Sequence, residues 1–491
     1  MKSVLKLTPI LLLAGLVISG TDVLAAAPIA ALYAGIICVL TEKITTTEII
    51  DKAIDNAKSG MMVFFILMVA YALAEVFMVT GVGAAIISIS IKLGVTARSI
   101  AVVTFLSTCI LSVSTGTSWG TFAACAPIFL WLNHVLGGSV SLTLCAAAGG
   151  AAFGDNIGLI SDTTIFSSGI QNVNVVDRVR HQGVWSLLCV FTSAILFYVT
   201  SMLFKLPTTV GNAAQAIGEI PDEAWTKLEE IRPSAVALLQ QVQTGVPLYM
   251  VIPIVLVIGL AIGRKQTLIC LSAGIFSAFF LGAIAGTITS FSQAIDLIYT
   301  GFSDAGSWVV IMMMWVTAFG GIMNSMNAFE PIAKGFLKIS NNVKQLMTCN
   351  ALLCIIGNAA LSDEVAQMAT IGPVIKNVVD NHVEGSKEDK YVLALRNATF
   401  SDALGVLGSE LIPWHVCAIY YVSLAQAVYP LYTFHPIDLI KFNYMAIISV
   451  VSMMVLTFTG MDRLIPLFKL PSEPNVRLIK DGMDRMNKST I

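Results

Sequence analysis

Apolar residues run along this chain in long unbroken stretches. Gly60–Gly81 (GMMVFFILMVAYALAEVFMVTG) carries a single charge, Glu75, while Val184–Phe204 and Phe442–Gly460 carry none. About 20 apolar residues let a helix cross the hydrocarbon core of a bilayer, so each stretch predicts a transmembrane helix. The pattern divides into two similar series. Each opens with two short hydrophobic helices (roughly 5–21 and 25–41; 248–262 and 267–285). An amphipathic stretch follows, then a long helix (60–81; 307–327). Next come two apolar arms joined by a polar tip (98–134; 344–380), a helix interrupted by Gly and Asp (140–170; 391–428) and a closing helix (184–204; 438–460).

The two series are copies of one unit. PILLLAGLVI at Pro9–Ile18 reappears as PIVLVIGLAI at Pro253–Ile262. Ile50-Asp51 then matches Ile295-Asp296, Gly60 matches Gly306, and Pro127 matches Pro373. Further on, Ala151-Ala-Phe153-Gly-Asp155-Asn-Ile-Gly158 matches Ala398-Thr-Phe400-Ser-Asp402-Ala-Leu-Gly405. Tandem repeats on this scale are common in secondary transporters. The first 28 residues imitate a secretory signal, with Lys2, Lys6 and an apolar run. Because this segment recurs inside the chain, it is expected to stay as a span.

Composition agrees with a membrane solvent. The chain has 491 residues, 56% hydrophobic and 12% charged, with a mean hydropathy of +0.83. Soluble domains carry about 25% charged residues. A formal net charge of −2 gives no footing for a nucleic-acid partner. No Walker, Rossmann or zinc-site spacing occurs, so no cofactor is expected and uphill transport would draw on an ion gradient. The nine cysteines are scattered through apolar segments and read as small buried hydrophobes.

Topology follows from the positive charges. If each pair of apolar arms is a re-entrant hairpin, a unit has five spans and the second copy is inverted. With both termini cytoplasmic, the inside segments are 1–7, 42–59, 171–183, 263–266, 328–344, 376–396 and 461–491. Of the 28 Lys and Arg, only Lys92, Arg98, Lys205, Lys227, Arg232 and Lys441 then fall outside, as the positive-inside rule requires. The expected architecture is an all-α polytopic membrane protein of two inverted repeats, each with about five transmembrane helices, one re-entrant hairpin and one broken helix. Residues 1–204 form the first repeat, 205–244 a polar extracytoplasmic linker, 245–468 the second repeat and 469–491 a cytoplasmic tail.

Backbone that leaves the helix inside a membrane must be satisfied by protein, water or ligand, so the breaks mark the candidate site. The first tip holds Thr115, Thr117 and Ser118, whose hydroxyls are hard oxygen ligands. The first broken helix holds Asp155, Asn156, Ser161, Asp162, Thr163 and Thr164. Intramembrane acids are costly and tend to be functional; a carboxyl there could alternate between holding H⁺ and holding a cation. For Asp162 a helix N-cap role is an equal reading. The second tip offers Ser362, Asp363 and Glu364, and its broken-helix partner offers Asn397, Asp402, Glu410 and His415. His415 could sense pH or be a hydrogen-bonded core residue. Arg396 could neutralise a nearby acid or snorkel at the membrane edge, and Glu75 faces the bundle interior or a partner such as Arg396. Asp155, Asp162 and Asp402 are the Na⁺ candidates.

These motifs resemble the NhaC family of sodium/proton antiporters. Gly-Ala-Ala-Phe-Gly-Asp155-Asn-Ile-Gly-Leu-Ile-Ser161-Asp162-Thr163-Thr164 resembles that family's G-x-A-F-G-D-K-x-S-P-L-S-D-T-T signature, Thr115–Gly120 its T-G-T-S-W-G, and Leu411–Trp414 its P-L-I-P-W. The order of motifs agrees over nearly the whole length. The resemblance implies inverted repeats with paired hairpins, an ion and substrate site lined by Asp155, Asp162, Thr163 and the Thr115–Ser118 tip, and a scaffold-mediated homodimer. Asn156 stands where the family has lysine, Gly158-Leu159 where it has Ser-Pro, and Phe400–Gly405 where it has E-D-S-G-T near the second Asp.

The expected function is therefore Na⁺/H⁺ antiport at the inner membrane by alternating access, with Na⁺ and H⁺ as transported ions. The alternative is ion-coupled transport of a small organic solute, a dicarboxylate, hydroxy acid or amino acid. An intramembrane aspartyl protease built on Asp155 and Asp402 would need Tyr-Asp and Pro-Ala-Leu elements, and the sequence contains neither. The chain is not expected to be an enzyme.

Overall fold

The structure is a computed structural model that describes residues 5–479 apart from 20, 43, 60, 160, 210–216, 219, 221, 232, 264, 327 and 328. It is a predominantly helical, multi-pass membrane protein. The first half contains α1 (Thr8–Ile18), α2 (Val23–Glu42), α3 (Thr46–Ser59), α4 (Met61–Thr80), α5 (Val82–Lys92), α6 (Ile100–Thr115), α7 (Ser118–Leu136), α8 (Val140–Ile157), α9 (Asp162–Gln171) and α10 (Val175–Leu203). Two helices follow, α11 (Asp222–Ile231) and α12 (Pro233–Thr244). The second half contains α13 (Ile252–Ile262), α14 (Thr267–Ala285), α15 (Phe291–Asp304), α16 (Ile311–Ser325), α17 (Glu330–Ile339), α18 (Val343–Leu361), α19 (Glu364–His382), α20 (Lys387–Ser409), α21 (Val416–Val428), α22 (Pro436–Lys441) and α23 (Tyr444–Thr459). A short antiparallel ribbon pairs β1 (Val383–Gly385) with β2 (Val476–Leu478).

Among the described residues, five helical segments are long and apolar enough to cross a bilayer: Leu24–Glu42, Ser118–Leu136, Val175–Leu203, Leu268–Ala285 and Phe291–Ser325. Large apolar side chains on their outer faces, such as Phe191, Phe276 and Phe280, are exposed, which lipid rather than water can solvate. The first long helix occupies its expected stretch, as α4 (Met61–Thr80). Gly81, at a φ of 101°, bends the chain by 66° between α4 and α5. In the second half the amphipathic stretch and the long helix are one element, because α15 continues through a π-helical turn at Ala305–Val310 into α16.

Both polar tips use the same device. Gly116 (φ 68°) and Ser362 (φ 57°) are left-handed C-caps of α6 and α18. The next residue is extended and caps the returning arm: Thr117 Oγ1 accepts from Gly120 N, and Asp363 Oδ1 from Ala366 N at 2.6 Å. The arm α6 also lies directly on α8. A Cβ on Gly150 would sit 1.9 Å from Thr108 Oγ1, and one on Gly154 would sit 2.2 Å from Val113 N. Glycines one turn apart let two helix backbones touch, and Ser112 Oγ donates to the Ala151 carbonyl across that seam.

Three expectations need correction. α10 begins at Val175 rather than 184, so Arg178, His181 and Gln182 are buried core residues and not part of a cytoplasmic loop. The cause is a stripe of polar residues at helical spacing, Arg178, Gln182, Ser186 and Ser193, turned toward the protein. The snorkelling reading of Arg396 is also corrected in favour of the acid-neutralising one: Arg396 is fully buried, donates to the Phe468 carbonyl and to Thr457 Oγ1, pairs with Asp462 at 3.3 Å and lies 3.7 Å over the Phe468 ring. Finally, the interval 205–244 is not only a polar connector. α12 buries Ala235, Leu238 and Leu239, and Gln241 Nε2 donates to the Val79 carbonyl at 2.6 Å.

Segments assigned to one side of the membrane by charge also meet in space. Lys6 pairs with Glu42 at 2.6 Å and donates to the Met326 carbonyl at 2.7 Å. Tyr391 Oη donates to Asp177 at 2.9 Å, and β1 pairs with the start of the C-terminal tail. On the other group, Arg98 bonds the Leu206 carbonyl at 3.1 Å.

Candidate ion site at the helix breaks

Asp155 sits in the last turn of α8, where the chain leaves the helix at Gly158 and restarts at α9. Its side chain is 3% exposed. One oxygen, Oδ2, accepts from Ser118 N at 3.1 Å and from Ser118 Oγ at 2.8 Å. The other, Oδ1, accepts from Ser161 Oγ at 2.7 Å. Hairpin tip, broken helix and helix restart thus converge on one carboxylate. Ser161 also caps α9, with its Oγ accepting from Thr164 N at 3.3 Å and lying 2.9 Å from Thr163 Oγ1. The Ser118 and Ser161 hydroxyls are neutral donors, and their oxygens can turn from donating to the carboxylate to ligating a cation.

Thr164 links this group to the second half. Its Oγ1 lies 3.1 Å from the Asp155 carbonyl, 3.3 Å from the Asn156 carbonyl and 3.2 Å from Asp402 Oδ2. Asp402, in the middle of α20, lies 2.5 Å from Arg178 Nη2, and both side chains are 0% exposed. Asn156 is held from α10, where Gln182 Nε2 donates to its carbonyl at 3.1 Å and to its Oδ1 at 3.0 Å. Within this connected cluster, Arg178 Nε and Nη1, Asp402 Oδ1, Asn156 Nδ2 and Gln182 Oε1 are buried without a hydrogen-bond partner among the described residues. Buried polar atoms are ordinarily satisfied, so this cluster suits water or a small polar guest.

The second break is built differently. Helix α20 ends at Ser409, and α21 restarts after His415, which is its N-cap. His415 Nδ1 accepts from Cys417 N at 3.1 Å, and Nε2 lies 3.0 Å from Asn358 Oδ1. Asn358 in turn donates to the Leu404 and Gly405 carbonyls at 3.1 and 2.9 Å. These contacts fit one neutral tautomer with the proton on Nε2, which is the core-residue reading of His415. Glu410 is 0% exposed and accepts from Asn443 Nδ2 at 2.6 Å. Asn397 lies well before the break and ties α18 and α19 to α20 through Asn350 and the Ile375 carbonyl. Ser362 accepts from Val416 N through its carbonyl, and Glu364 is buried beside Gly405. Trp119 stacks on Tyr420 at 4.6 Å, so the first tip rests on the second broken helix.

The structure therefore brings Ser118, Asp155, Asn156, Ser161, Thr163, Thr164 and Asp402 into one group. Thr117 stays at the tip as a cap; of the remaining second-half candidates His415 meets Asn358, while Asp363, Asn397 and Glu410 bond Ala366 N, Asn350 and Asn443 at separate places. Thr115 and Asp162 hold helical positions, but their side chains lie outside the described residues. Glu75 is buried in the bundle, while Arg396 is taken by Asp462. Arg178, Gln182 and Asn443 are site residues that the motifs did not mark; for the first two, the polar stripe at the start of α10 was the available signal.

A Na⁺/H⁺ antiporter family model matches residues 4–182 and 150–461. The chain belongs to this family. The Na⁺/H⁺ antiporter NhaC of Alkalihalophilus pseudofirmus is 23% identical over 389 residues, 75% of this chain and 77% of that one. The arginine/ornithine antiporter ArcD of Halobacterium salinarum is 21% identical over 433 residues, covering 85% and 82%. The malate-2H⁺/Na⁺-lactate antiporter of Bacillus subtilis is 25% identical over 332 residues, covering 64% and 65%. These relatives are named as exchangers of Na⁺ with H⁺, of arginine with ornithine, and of malate and H⁺ with Na⁺ and lactate, and the residues at the breaks must decide between such readings.

Proposed function

We propose that this chain is a Na⁺/H⁺ antiporter in which Asp155 holds either Na⁺ or H⁺, never both. One observation carries this reading: a buried carboxylate at the meeting point of a hairpin tip and a helix break, accepting hydrogen bonds from Ser118 on the tip and Ser161 at the helix restart. Na⁺ prefers hard oxygen ligands. The Ser118, Ser161, Thr163 and Thr164 hydroxyls and the carbonyls freed at the break offer them within one cluster. Alternating access would move the hairpins and broken helices against the remaining helices, exposing Asp155 to each side in turn.

The two halves would act as inverted repeats, with residues 205–244 on the extracytoplasmic side, both termini cytoplasmic and the protein in the inner membrane. The contacts among Lys6, Glu42 and Met326, and between Asp177 and Tyr391, support that sidedness. A homodimer through the outer helices accords with it. Liposomes holding an acid interior and a pH dye provide the test. NaCl added without any organic solute is expected to dissipate the gradient.

The second reading, coupled transport of an organic solute, is favoured by the unsatisfied Asn156 and Gln182 amide atoms beside Asp155. Under it, Na⁺ does little in the same vesicles until a dicarboxylate, hydroxy acid or amino acid is present.

A further inference from the structure

The Arg178–Asp402 pair joins the start of α10 to the middle of α20, one residue from each half, and both groups are shut off from solvent. The pair is poorly built as a strut. Only one guanidinium nitrogen reaches the carboxylate, while Arg178 Nε and Nη1 and Asp402 Oδ1 find no partner among the described residues. A buried ion pair that is not fully hydrogen-bonded tends to cost stability compared with apolar side chains of the same volume. Its retention beside an ion site points to charge rather than to packing. Arginine, unlike lysine, keeps its proton in proteins, so its positive charge is permanent. Thr164 Oγ1 donates to the same Asp402 oxygen that faces Arg178 and also contacts the Asp155 carbonyl, which places the pair against the exchange site.

We propose that Arg178 is a positioning residue that sets the charge moved per cycle. It holds Asp402 as an ionised, already neutralised group and so removes it from the carboxylates that bind transported ions. This inference rests on the Na⁺/H⁺ reading above. It has a consequence opposite to that of a shared-ligand site. Without Arg178, Asp402 is a buried carboxylate with no counter-charge; it must recruit a proton or a cation of its own, and each cycle then moves a different charge. Removing both partners restores the wild-type charge count.

The test uses full-length protein in liposomes under an imposed K⁺ diffusion potential, with Na⁺-driven collapse of a pH gradient as readout. Wild type, R178K, R178Q and the double variant R178Q/D402N are compared, with monodispersity in detergent as the folding control. The expected result is a voltage response in R178Q that differs from wild type, a wild-type voltage response in R178K, and a return to the wild-type voltage response in the reduced but measurable exchange of R178Q/D402N. If R178Q fails to fold, the double variant decides alone. A folded double variant without exchange overturns the inference, since Asp402 would then be a required ion ligand. So does a folded R178Q whose voltage response equals that of wild type. A wild type that leaves the gradient intact on adding Na⁺ overturns the antiport reading and this inference together, whereas an active wild type beside an inactive, folded double variant overturns this inference alone.

Discussion

The two helix breaks share a frame and differ in chemistry. Each stands beside a hairpin whose tip has a left-handed residue followed by an extended cap, Gly116-Thr117 in one half and Ser362-Asp363 in the other. At the first break a carboxylate gathers hydroxyls, Ser118 and Ser161, that can also turn toward a cation. At the second, an imidazole and an amide bind each other and the backbone: His415 caps α21 and meets Asn358, which closes on the Leu404 and Gly405 carbonyls. Duplication supplied the geometry twice. On the proposed reading, ion exchange belongs to the first break and fixation to the second.

The largest effect that separates the halves is expected at Asp155. Asp155→Asn keeps the shape and removes the exchangeable charge, so Na⁺-driven proton movement in vesicles should fall to the protein-free background. Glu410→Gln in the second half should leave exchange measurable. Equal losses would erase the asymmetry.

A second large effect concerns the seam that carries Asp155. Gly154→Leu has no room, since even a Cβ would lie 2.2 Å from Val113 N. Overpacking costs about 1–3 kcal/mol or more, here against backbone that cannot turn aside. The variant is expected to lose thermal stability in detergent and, with it, exchange. At Gly408, where the nearest atom to an added Cβ is Asn358 Nδ2 at 3.5 Å, alanine should be tolerated.

A middle-sized effect is expected at Ser161. Ser161→Ala deletes the donor to Asp155 Oδ1 and the cap of α9. A hydrogen bond to a charged group is worth about 1.5–3 kcal/mol, and about 1.4 kcal/mol is tenfold in affinity. The half-saturating Na⁺ concentration should therefore rise by about tenfold or more. The smallest effect should come from His415→Asn. Asparagine is a good N-cap, so stability should change by about 1 kcal/mol or less and the pH profile of exchange should stay in place. A displaced pH profile would give the second break a functional role.

Much of the frame was legible from residue order alone. The collinear repeat from Pro9/Pro253 to Gly158/Gly405, the hairpin tips and the interrupted helices all lie in the sequence, because backbone that leaves the helix inside a membrane gathers Gly, Ser, Thr and Asp where it must be satisfied. Asp155, Ser118, Ser161 and Thr164 were legible for the same reason. Arg178 was not. Positive charge next to an apolar run ordinarily marks a loop at the cytoplasmic face; the polar stripe through Gln182 and Ser186 was the one local sign against that, and the tertiary partner Asp402, distant in sequence, shows that Arg178 is inside. For Arg396 the pairing with an acid was legible, but not which one, since its partner Asp462 follows α23. The joining of α15 to α16 escaped notice because a π-turn carries no distinctive composition.

The central claim is that Na⁺ and H⁺ compete for Asp155, and competition can be measured without transport. Purified protein in weakly buffered detergent solution with a pH dye is titrated with NaCl, with choline chloride as the ionic-strength control. The account predicts proton release from wild type on adding Na⁺ and none from Asp155→Asn. Wild type that releases no protons, or a folded Asp155→Asn that releases as many as wild type, would contradict it.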